Sequence, residues 1–156
     1  MDEREQAIGE IGRAMQRYQR SSRSMEDAVG RRFGLGAADL RCLDWLVDGP
    51  KTPGQLAGAI GLRPAATTAV IDRLERRGLV SRSRDSGDRR VITVRMTEEA
   101  RLQANEVYRP IVDDETALLE RLDSTELAQI RRWFDACIAI TERRTRQLVA
   151  ETAEGV

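Results

Sequence analysis

Apolar positions recur along the chain at two periods, and each change of period marks an element. Ile8, Ile11, Met15, Tyr18, Ser22, Met25 and Val29 step by threes and fours, the seam of one long helix. Arg31-Arg32-Phe33-Gly34 ends it. Leu40, Leu43, Trp45, Leu46 and Val47 predict a second helix over Ala37 to Val47, stopped by Asp48-Gly49-Pro50. Thr52 then caps a short helix, with Pro53 at its first position and Gln55 completing a Thr-x-x-Gln capping box. Leu56, Ala57 and Ile60 form its apolar face, and Gly61 closes it. Pro64 opens the next helix, with Ala66, Val70, Ile71 and Leu74 predicted inward and Ala65, Thr67, Thr68, Asp72, Arg73 and Arg76 outward; Gly78 stops it. The period then shortens to two. Leu79 to Arg84 and Arg90 to Arg95 read as strands, with Asp85-Ser86-Gly87-Asp88 turning between them.

Beyond the hairpin, Thr97-Glu98-Glu99 starts a helix that runs through Ala100, Leu102, Val107, Ile111, Leu118 and Leu119 towards Leu122. Pro110 is expected to kink or interrupt it near Glu106. Asp123-Ser124-Thr125-Glu126 caps a last helix, where Leu127, Ile130, Trp133, Phe134, Cys137, Ile138, Thr141 and Leu148 keep the same rhythm for about six turns. The fold class expected is mainly α with a small β-hairpin wing. A single domain covers 1–156: an N-terminal helix over 1–32, a winged helix-turn-helix core over 37–97, and C-terminal helices over 98–150. The apolar seams of both end helices exceed what the middle needs. They serve either as ordinary core or as a two-fold interface with a second copy.

Charge sharpens the picture locally. The chain holds 26 basic and 26 acidic residues, yet nine arginines face four carboxylates between 52 and 97, a net of +5. A basic patch on a helix and its adjoining hairpin suits a phosphate backbone. With no histidine, no glycine-rich phosphate loop and no metal-ligating cluster, catalytic and metal sites are not expected, and no cofactor is implied. No stretch approaches the ~18 apolar residues of a membrane span, and the N-terminus has no signal-peptide profile, so the chain is expected in the cytoplasm. Cys42 and Cys137 lie far apart among apolar neighbours and read as two reduced, buried thiols.

The ordered set Leu56-Ala57, Leu62-x-Pro64, Val70-Ile71-Asp72-Arg73-Leu74-Glu75-x-x-Gly78-Leu79-Val80, Asp88-Arg89-Arg90 and Val94-Arg95-Met96-Thr97 resembles the MarR family of bacterial transcription regulators. The likeness is close over the winged core and extends in length and flanking helices over nearly the whole chain. It implies a homodimer formed by the first, fifth and sixth helices, with two winged domains on one face of double-stranded DNA at a near-palindromic operator. A ligand-responsive repressor is the commonest role.

The candidate DNA contacts are Arg63, Pro64, Ala65, Thr67, Thr68 and Arg73 around the recognition helix 64–77, and Arg82, Arg84, Asp88, Arg89 and Arg90 on the wing 79–96. The positive end of a helix starting at Pro64 favours a nearby phosphate. Thr67 and Thr68 are small enough for a deep fit in the major groove, although threonines are common on any exposed face. Arg63 stands where the family usually has a capping serine, a loss of about 1 kcal/mol. Asp88 and Arg90 match the family's Asp-x-Arg pair, with Arg90 entering the minor groove and Arg82, Arg84 and Arg89 on phosphates; a solvated charged turn is the bland alternative.

The resemblance also implies a cleft for a small aromatic or phenolic effector, whose walls here would include Met15, Tyr18, Leu43, Leu46, Tyr108 and Arg109. The same residues suit an ordinary core. The peroxide-sensing branch of the family carries a reactive cysteine in the first helix, and this chain has none there. The alternative function is a winged-helix module that binds a protein partner without sequence-specific DNA binding.

Overall fold

The computed structural model describes residues 2–84 and 91–154, with side chains as far as 151. Among the described residues, six helices and a two-stranded hairpin follow in the order α1 (Glu3–Phe33), α2 (Ala37–Val47), α3 (Pro53–Ile60), α4 (Pro64–Arg76), β1 (Val80–Arg84), β2 (Ile92–Met96), α5 (Glu98–Leu119) and α6 (Ser124–Glu154). The chain divides into two compact units, Met1–Ala104 and Asn105–Val156.

Local chemistry accounts for the element ends. Asp2 and Glu5 form a reciprocal capping box at α1, and Thr52 and Gln55 do the same at α3. Gly61, at φ +68°, lets the chain leave α3 in the left-handed conformation and enter α4 three residues later. Gly78, at φ +69°, makes the equivalent step from α4 into β1. Thr97 joins the hairpin to α5: its hydroxyl donates to the Gly78 carbonyl (2.8 Å) and accepts from Ala100 N (3.2 Å).

The core of the first unit gathers one face from each surrounding element: Cys42 and Leu46 from α2, Leu56 from α3, Val70, Ile71 and Leu74 from α4, Val80, Val94 and Met96 from the hairpin, and Ala100 from α5. Burial of each large aliphatic side chain contributes about 1.5–3 kcal/mol. The strands pair antiparallel, Val80 opposite Met96, Arg82 opposite Val94 and Arg84 opposite Ile92. Lys51 adds one antiparallel bridge to the hairpin: its N–H donates to the Val94 carbonyl and its carbonyl accepts from Val94 N. The hairpin base is thereby tied into the helical core.

Of the kink or interruption expected at Pro110, the interruption does not occur: α5 runs as one helix from Glu98 to Leu119. Pro110 and Glu106, whose carbonyl loses its partner, are both exposed. Water can take the place of the missing bond. Among the described residues no helix is long and apolar enough to cross a membrane.

Candidate nucleic-acid interface

Helix α4 turns one stripe, Thr67, Val70, Ile71 and Leu74, into the core and leaves Pro64, Ala65, Ala66, Thr68, Ala69, Asp72 and Arg76 exposed. This rotates the expected faces slightly. Ala66, expected inward, is outside. Thr67, expected to face DNA, is 1% exposed, and its hydroxyl donates to the Arg63 carbonyl at 3.2 Å. A buried hydroxyl needs such a partner, and the i−4 carbonyl is the nearest. Thr68 does remain on the surface, its hydroxyl donating to Pro64 O at 3.0 Å. Arg63 occupies the N-cap with extended backbone and no side-chain cap bond.

Two arginines expected to reach outward are instead drawn back by carboxylates. Asp39 of α2 is 3% exposed. One oxygen accepts from Gly36 N at 3.0 Å, capping α2, while the Arg73 guanidinium donates through Nε (3.1 and 3.3 Å) and Nη2 (2.5 Å). The hydrogen bond and charge of Asp39 raise the pKa of Arg73, keeping it protonated. Arg82 lies on the strand face that carries Val80 and Val94, so it points back at α4. Its guanidinium bridges Asp72 (2.5 Å) and Glu75, and its backbone N–H donates to Glu75 Oε1 at 3.1 Å. Arg77 donates to the Gly34 and Phe33 carbonyls that end α1, at 2.7 and 2.5 Å.

Arg63 and Arg84 are exposed, together with Arg76 and Arg95. Asp88, Arg89 and Arg90, the expected wing tip, lie outside the described residues. The fold thus brings Arg63, Pro64, Ala65, Thr68 and Arg84 to the surface of one unit and assigns Thr67, Arg73 and Arg82 to holding that surface together. Asp39 and Glu75 escaped sequence reasoning as partners. Asp39 sits three residues beyond Gly36, a legible capping position, but nothing local connects it to Arg73, 34 residues away.

Residues 37–92 match the pattern of the MarR family. An uncharacterized HTH-type transcriptional regulator of Bacillus subtilis, YcgE, is 30% identical over 122 residues, covering 78% of this chain and 79% of that protein. The chain belongs to the MarR family. Among solved structures, a MarR family protein from Bacillus stearothermophilus is 25% identical with a TM-score of 0.58, covering 98% of this chain and 99% of that one. Streptococcus pneumoniae FabT, solved in complex with DNA, is 20% identical with a TM-score of 0.66, covering 86% and 97%. That likeness is one of fold.

The residues expected around a MarR effector fare unevenly. Leu46 is 1% exposed within the core, and Leu43 packs half-buried against the same core. Met15 is half-buried and Tyr18 exposed on α1. In the second unit Tyr108 is half-buried, and Arg109 lies 3.7 Å from Asp113. A cleft of about 630 Å³ opens between the end of α1 and the start of α2, lined by Arg23, Glu26, Arg31, Leu35, Leu40 and Arg41 among others. None of the six expected effector residues lines it. Cys42 is fully buried, and burial, with the charge of Asp39, pushes its thiol up to about 11. Cys137, expected buried, is only half-buried.

Proposed function

We propose that this chain is a homodimeric, sequence-specific DNA-binding repressor whose α4 enters the major groove while the hairpin tip reaches the minor groove. The observation that carries the reading is a single surface: the exposed face of α4 and the arginine-bearing hairpin, tied together through Arg82, Asp72 and Glu75. Small side chains let α4 approach base edges, and the flanking arginines suit phosphates. The FabT neighbour, solved with DNA, supports the same use of the fold.

Dimerisation is supported by the apolar seams of the end helices. Ile8 and Ile11 on α1, and Trp133, Phe134 and Ile138 on α6, are 41% to 55% exposed in the single chain, a surface that self-association covers. Two copies then face half-sites about one helical turn apart. Release from DNA by a small aromatic or phenolic effector belongs to the same proposal, with Met15, Tyr18 and Leu43 as its candidate contacts on the first unit.

Fluorescence anisotropy against the DNA upstream of its own gene and against scrambled DNA, at several salt concentrations, tests the proposal. Steep salt dependence with at least ~10³-fold preference supports a specific regulator. Absence of binding to either duplex favours a protein-docking module.

A further inference from the structure

The recognition surface is short of hydrogen-bond donors where a recognition helix meets bases. Residues in the N-terminal turns of such a helix contact base edges. Here those turns expose Pro64, Ala65, Ala66, Thr68 and Ala69. Four of the five carry only hydrocarbon, and the fifth, Thr68, is exposed with its hydroxyl hydrogen directed at the Pro64 carbonyl. Thr67 is buried. Arg73, the arginine two turns along, is held by Asp39. Guanine shows the major groove two acceptors and needs a donor; thymine shows a methyl group and needs an apolar partner.

We infer that the major-groove half of this protein's DNA specificity is read chiefly through thymine C5-methyl groups packed against the Ala65–Thr68–Ala69 surface of α4, and not through donors to guanine. The inference rests on the DNA-binding reading above and narrows its substrate to operators with thymines under each recognition helix. Arg63, a long donor at the edge of this surface, serves the phosphates.

The test begins by selecting binding sites from random duplex DNA with the full-length protein. The winning duplex is then synthesised twice, with thymine and with uracil replacing thymine in the half-sites. Uracil lacks only the major-groove methyl, so phosphate and minor-groove contacts persist. We expect affinity to fall about fourfold for each contacted methyl, the worth of one buried carbon group. Thr68→Ser should shrink the thymine-over-uracil preference, whereas Thr68→Val should keep it. Arg63→Ala should weaken both duplexes equally. Equal binding of the thymine and uracil duplexes overturns the inference while leaving DNA binding intact, as does a selected site whose affinity falls when 7-deazaguanine, which lacks the major-groove N7 acceptor, replaces guanine in the half-sites. A selection that enriches nothing removes the DNA-binding reading itself, and this inference with it.

Discussion

Asp39 determines where Arg73 points, and the pair is asymmetric: the carboxylate is 4% exposed and the guanidinium 43%. Removing Arg73 strands a buried charge, whereas removing Asp39 leaves a cation that water can reach. Arg73→Ala should therefore cost about 3 kcal/mol and Asp39→Ala about 2 kcal/mol. At 156 residues, thermal unfolding should register each as a drop of several degrees, larger for Arg73. Cys42 gives a second residue-scale prediction. Its thiol rises from 9.0 to about 11 in the fold, so the folded state keeps a proton that the unfolded state releases. Its contribution is fully present below pH 9 and is lost as pH rises towards 11, about 2–3 kcal/mol in all. Denaturant melts across that range should show the decline, and Cys42→Ala should flatten it. The same burial predicts no alkylation of Cys42 by iodoacetamide in the folded protein at pH 7, checked by mass spectrometry.

Between elements, Arg82 is worth more as a clamp than as a charge. Glu75 lies close to the expected DNA face, so electrostatics alone predict that Glu75→Ala tightens binding. If Glu75 instead holds the wing against α4 through Arg82, Glu75→Ala weakens binding, by about tenfold, with an unchanged salt slope; Arg82→Ala does likewise. Tighter binding by Glu75→Ala would sink the clamp. Element ends were well written in the sequence, because caps and glycines act within four residues: Thr52 with Gln55, Gly61, Gly78 and Pro64 each do locally what their chemistry dictates. The inner face of α4 was legible only in part. A one-residue rotation exchanges Ala66 for Thr67, and hydropathy favours the alanine. The fold buries the threonine, whose hydroxyl finds a carbonyl one turn back. The roles of Arg73 and Arg82 depend on partners across element junctions, which no periodicity records. At Pro110 the interruption fails for the opposite reason: a helix exposed to water tolerates the lost bond.

For the whole molecule, the proposed dimer makes a prediction that can be read from mass. Sedimentation should give twice the chain mass, and Ile138→Glu, placing a charge on the exposed seam of α6, should shift it towards one chain while lowering DNA affinity at least 100-fold. Circular dichroism should stay unchanged, since Ile138 is 54% exposed in the single chain. The hairpin invites a last consequence. Its register is set at its base, by Val80, Val94 and Met96 in the core and by the Lys51 bridge. The strands are therefore held by the same residues that fill the core, so a change that loosens the core also loosens the base on which the wing stands.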